Sequence, residues 1–182
     1  MRGSGEGVKT SNRATVVAVM AGLGIAIAAQ AGCSGAAMPG QTLGTYKVVG
    51  QSQTNTCGLS APNPWTFDIE LSQQQSTLYW NWLDGSSLQT GTVSNGAATI
   101  TDSAEVNADS TDAGLGPCNL STTQSIQLTF GSGSPPGSFT STLSYTYAPA
   151  SGATCTDVLT TSGGMYDQLP CTVTYTATAT RQ

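Results

Sequence analysis

An all-β fold of eight antiparallel strands in up-and-down order is predicted by three features of this sequence. Apolar and polar residues alternate through residues 65–72, turn-forming dipeptides separate successive alternating runs, and no segment carries a helical apolar period. The composition agrees, because Thr (28 residues) and Ser (21 residues) are abundant. Thr, Tyr and Trp all suit a half-buried pleated surface.

The runs follow in order. Residues 45–50 (TYKVVG) form the first and 65–72 (WTFDIELS) the second, where Trp65, Phe67, Ile69 and Leu71 alternate with Thr66, Asp68, Glu70 and Ser72. That pattern gives a strand with one buried face. The third run, 77–83 (TLYWNWL), is separated from the fourth, 88–93 (LQTGTV), by a segment containing Asp84-Gly85. The fourth is separated from the fifth, 97–101 (AATIT), by Asn95-Gly96. Both dipeptides favour the positive φ angles of tight hairpin turns, so these three strands are expected to form a meander. The sixth to eighth runs are 125–130 (SIQLTF), 139–147 (FTSTLSYTY) and 172–178 (TVTYTAT).

If the strands run up and down in sequence, odd connections gather at one end and even connections at the other. The even ones, near 73–76, 94–96 and 131–138, are short or rich in Gly and Pro. The odd ones, near 51–64, 84–87, 102–124 and 148–170, include all three long loops and have Cys57, Cys118, Cys155 and Cys171 in or beside them. All four cysteines should therefore share one end. Eight antiparallel strands close into a small barrel or pack as a β-sandwich, and the meander favours the barrel. In general architecture such a barrel, with long loops at one mouth, resembles the lipocalin-like pattern. That resemblance implies an interior either filled by side chains or holding one small ligand.

The amino-terminal segment has a different character. Arg2, Lys9 and Arg13 precede an apolar, small-residue run over residues 14–29, which reads as a secretory signal over residues 1–32. It is shorter than the roughly 20 residues of a membrane-spanning helix. Ala31-Gly32-Cys33 resembles the lipobox of bacterial lipoproteins, with Gln30 where that family prefers an aliphatic residue. The resemblance implies lipidation of Cys33, cleavage before it, a membrane attachment through the lipid and, from Ser34, outer-membrane sorting. The rival is signal peptidase cleavage after Ala29-Gln30-Ala31, releasing a soluble periplasmic or secreted protein. Residues 33–43 then serve as lipidated terminus and tether, and 44–182 as a single β domain.

Five cysteines bear on this choice. Export favours disulfides, and lipidation of Cys33 removes the odd thiol, leaving four that pair as two bridges. Four cysteines allow three pairings; the expected one is Cys57 with Cys118 and Cys155 with Cys171.

Charge and residue inventory narrow the function classes. Charged residues are 8% of the chain and the net charge is −5. From Cys33 onward only Lys47 and Arg181 are cationic, against nine carboxylates, so a nucleic-acid partner is not expected. The chain has no His, which excludes a His-based triad and a His-ligated metal centre, and paired cysteines leave no thiolate zinc site. Asp68 and Glu70 fall on the polar face of their strand and receive no catalytic role. Asp102, Glu105, Asp109 and Asp112 lie in a segment whose spacing does not fit a calcium loop, and it reads as a solvated acidic loop. No cofactor, no metal and no enzymatic activity is expected.

The densest aromatic group is Trp65, Phe67, Tyr79, Trp80 and Trp82. Such rings ordinarily pack a core. The alternative gives Trp65, Trp80 and Trp82 to a cavity for a small apolar or carbohydrate ligand. The reading is thus an exported, lipid-anchored envelope protein that binds a small molecule within a β-barrel. Its alternative is a structural or protein-interaction module using long acidic loops.

Overall fold

In the computed structural model, which describes residues 38–108 and 118–182, eight antiparallel strands follow one another around a closed barrel. They are β1 (Gln41–Asn55), β2 (Trp65–Gln74), β3 (Thr77–Trp82), β4 (Gln89–Ser94), β5 (Ala97–Asn107), β6 (Asn119–Phe130), β7 (Ser138–Pro149) and β8 (Cys171–Arg181). The β1–β8 seam runs from Tyr46 opposite Arg181 to Asn55 opposite Val173. Closure leaves no continuous sheet edge to template pairing with other chains. The leader, Cys33, Asp109 and Asp112 lie outside the described residues.

Every expected strand is present, in the expected order. Asn95 (φ 52°) and Gly96 (φ 76°) form the two-residue β4–β5 turn, both with the positive φ that the dipeptide favours. Asp84-Gly85 instead begins a longer connection over residues 83–88, where the Asp84 carboxylate accepts the Ser86 backbone N–H at 2.9 Å. An aspartate that folds back on its own backbone stabilises a local turn, but the loop here is too long for a tight hairpin.

Strand ends depart furthest from the expectation. The fold begins before residue 44: β1 starts at Gln41, and Ser72 Oγ donates to the Pro39 carbonyl at 2.6 Å, fixing the preceding segment over β2. The expected 102–124 loop is largely strand, since β5 and β6 remain paired from Ala97 opposite Thr129 to Asn107 opposite Asn119. Asp102 and Glu105 therefore belong to β5, three residues apart on opposite faces, and cannot act as one acidic loop.

Alternation along every strand directs one face inward. An eight-stranded barrel is just wide enough to be filled by its own side chains. Here Tyr46, Val48, Ile69, Leu71, Leu78, Trp80, Ile100, Ile126, Phe139 and Leu143 are fully buried in one cluster. Each large apolar side chain stabilises by roughly 1.5–3 kcal/mol relative to exposure. Trp80 packs edge-on against Trp82 (5.4 Å between ring centroids) and Phe139 (5.9 Å). It is a core residue, correcting its assignment to a ligand cavity.

Cys57, Cys118, Cys155 and Cys171 do share the long-loop end, while the start of β1 and the end of β8 lie at the opposite one, where the Gln182 N–H donates to the Thr45 carbonyl at 2.9 Å. Their pairing differs from the expected one: the bonds are Cys57–Cys171 and Cys118–Cys155. Closure accounts for both. It sets the end of β1 beside the start of β8, and the β6–β7 ladder sets Leu120 opposite Pro149, carrying Cys118 and Cys155 together.

Candidate functional site at the barrel mouth

The strands around the long-loop end are unequal in reach. The β4–β5 ladder ends at Gly91 opposite Ile100, whereas β5 continues to Asn107 paired with β6 alone. The wall of β5, β6 and β7 therefore rises above the short strands β3 and β4, and the mouth is cut away on one side. Strand parity turns Asp102 and Ala104 toward the barrel axis, yet both are exposed. These inward-pointing residues meet solvent, so on this side the barrel end is open and forms a cup, while Leu120 and Cys118 stay buried beside it.

Trp65 forms the cup's aromatic wall. As the first residue of β2 it lies opposite Gly50 of β1 and is half-buried. Its ring lies 4.4 Å from Phe67, 5.1 Å from Tyr175, 6.1 Å from Tyr145 and 6.0 Å from Trp82, the last nearly parallel at 22°. These contacts hold the ring in place, so a ligand stacking on its open side would meet a preorganised surface.

A ladder of polar side chains faces it. Trp82 Nε1 donates to Gln89 Oε1 at 3.1 Å, and Gln89 Nε2 donates to Gln124 Oε1 at 2.7 Å and to Asp102 Oδ2 at 3.5 Å. Gln124 Nε2 in turn donates to the Tyr145 hydroxyl at 3.1 Å. The ladder joins β3, β4, β5, β6 and β7 across the cup. Burial, with the neighbouring Tyr147 and Tyr175, pushes the Tyr145 hydroxyl above the ordinary tyrosine range. The hydroxyl therefore keeps its proton at neutral pH and, while accepting from Gln124, still has an O–H to donate.

Of the three tryptophans expected at a ligand site, the structure brings Trp65 and Trp82 to the mouth and leaves Trp80 below them. Trp82 is 7% exposed, so it acts through the hydrogen bond that holds Gln89. No protein-family model matches this chain, and no curated protein or solved structure does so either. Gln89, Gln124 and Tyr145 were not among the residues the sequence pointed to, and Asp102 was read there only as part of a solvated acidic loop. Their signal was present as parity, since Ile100 and Ile126 are inward positions whose period-2 continuation reaches Asp102 and Gln124.

The rim is apolar in places. Leu83 (49% exposed) and Leu88 (44%) flank the cut-away side, and Met165 (47%) stands in the β7–β8 connection at the same end. Asp68 and Glu70 lie on the outer wall opposite Lys47 and Thr45, away from the cup.

Proposed function

We propose that this protein is an exported, non-catalytic binding domain of the cell envelope that takes an uncharged carbohydrate at its open mouth. The observation that carries the reading is the exposed, inward-facing Asp102, within a cup that sets an aromatic wall against a ladder of amides. Sugars present an apolar C–H face and a ring of hydroxyls, and such a surface offers stacking to the first and hydrogen bonds to the second. A purely apolar ligand fits less well, because the interior that would shelter it is occupied by core side chains.

Two disulfides support an oxidising compartment, and the basic-apolar leader supports export. The lipobox-like Ala31-Gly32-Cys33 supports anchoring through a lipid on Cys33. With both described chain ends at the short-turn end, an anchored barrel would hold its mouth away from the membrane.

The test is isothermal titration of the purified protein with a panel of neutral oligosaccharides, repeated for Trp65→Ala and Asp102→Ala. Binding should fall about tenfold or more in each. Asp102 is exposed, so its variant should keep wild-type stability and separate binding from folding. Unchanged affinity in Asp102→Ala, or no binding to any sugar, would refute the reading.

A second reading has its own observation. Exposed Leu83, Leu88 and Met165 at one end suit a protein partner, making the domain an interaction module. Saccharide binding that survives Leu83→Ser with Leu88→Ser would decide for the carbohydrate.

A further inference from the structure

We propose that the outer wall of the barrel holds a second binding site, a groove for a neutral polysaccharide chain, independent of the mouth. A depression of about 600 Å³ crosses the outside of β5, β6, β7, β8 and β1. Its central row consists of Thr99, Gln127, Thr142, Thr176 and Gln51, each opposite the next on the neighbouring strand. A parallel row places Thr129, Thr140 and Thr178 side by side.

The wall sags for a reason visible in the alternation. The inward row lying between these two outward rows runs Ala98, Leu128, Ser141, Ala177 and Gly50. Four of its five residues are small, so little side-chain volume holds the sheet away from the core. The outside is consequently concave where an ordinary barrel wall bulges.

The chemistry of the lining selects its occupant. None of the groove's residues is ionisable, although the chain carries ten carboxylates. An anion finds no cation there and a cation no carboxylate. Among the described residues, none of the groove's six threonine hydroxyls, nor the Gln51 and Gln127 amides, has a hydrogen-bond partner. Threonine has a stiff χ1, so these hydroxyls are held in place before any ligand arrives. The Thr methyls between them match the C–H groups of a sugar chain. A protein partner would want an aromatic or Arg anchor, and the outward side chains of the groove are only Thr, Gln, Ala97 and Val49. With strands about 4.8 Å apart, five strands give a track roughly 19 Å long.

Affinity electrophoresis of the full protein tests this, through gels containing dextran, hydroxyethyl cellulose or soluble mannan, with anionic alginate as control. At least one neutral polymer should retard the wild type more than alginate does. Combining Thr142→Val with Thr176→Val keeps β propensity and shape while removing two facing hydroxyls, and should weaken retardation about tenfold. On a Trp65→Ala background, which removes the mouth's contribution, the double Val variant should show the same loss. The proposal is overturned if no neutral polymer retards the protein, if alginate retards it equally, if the double Val variant runs like wild type, or if Trp65→Ala abolishes retardation.

Discussion

Cys57 and Cys171 lie 114 residues apart in the chain and are joined as a disulfide with Cα atoms 5.0 Å apart, across the seam where β1 meets β8. The bond staples the barrel at its one non-sequential strand pair. Every other pair of neighbouring strands is already joined by a loop; β1 and β8 are joined only by their ladder and this bond. The second bridge, Cys118–Cys155, spans 37 residues and secures neighbours that the β6–β7 ladder already brings together.

Removing the seam bond should therefore cost more stability than removing the other. In the chain-entropy account a loop of that length contributes about 4.8 kcal/mol and the shorter one about 3.8 kcal/mol. Urea unfolding of Cys57→Ser with Cys171→Ser, against Cys118→Ser with Cys155→Ser, measures the difference. Equal losses would mean that the seam needs no covalent support.

Trp80→Ala should destabilise the fold by about 3–5 kcal/mol, as expected when a fully buried aromatic side chain is removed from a packed core. Thermal unfolding checks this directly. A loss under 1 kcal/mol would mean that the barrel interior is looser than its packing implies.

Stability should fall as pH rises above about 10, the ordinary range of tyrosine. Burial raises the hydroxyls of Tyr46, Tyr145, Tyr147, Tyr166 and Tyr175 in the folded protein. Below that range these groups are protonated in both states and contribute nothing to pH dependence. Above it the unfolded chain releases protons that the folded one retains, which favours unfolding until the folded hydroxyls titrate as well. Melting temperatures between pH 8 and pH 12 follow the effect; Tyr145→Phe should flatten the decline. A flat profile would show that the hydroxyls ionise freely in the fold.

Detergent-phase partitioning addresses the proposed anchor. The protein isolated from its native cells should enter the detergent phase, and Cys33→Ser should remain in the aqueous phase. Aqueous behaviour of both would favour the soluble, cleaved form.

Strand order and barrel class were legible because turn dipeptides and the Trp65–Leu71 alternation are local signals. The reach of β5 and β6 was not, because inward positions midway along them hold Asp102, Thr122 and Gln124, which break the apolar period between Ile100 and Val106 and between Leu120 and Ile126. A strand that lines an open cup loses the apolar half of its pattern, so the feature that makes the mouth also hides it. The disulfide pairing was illegible for another reason: spacing along the chain places Cys57 nearest Cys118, whereas closure places it beside Cys171. Alternation likewise sent Trp65, Trp80 and Trp82 inward together without giving their depth, which depends on how far each strand reaches toward the mouth.

The most direct test of mouth binding is an ¹H–¹⁵N NMR titration of the three tryptophan indoles with whichever neutral oligosaccharide binds best, each peak assigned by single Trp→Phe variants. The account predicts that the Trp65 indole moves most, that Trp82 responds through its bond to Gln89, and that Trp80 stays in place. A Trp80 peak that moves as far as Trp65, or three unmoved peaks with a bound sugar, would contradict it.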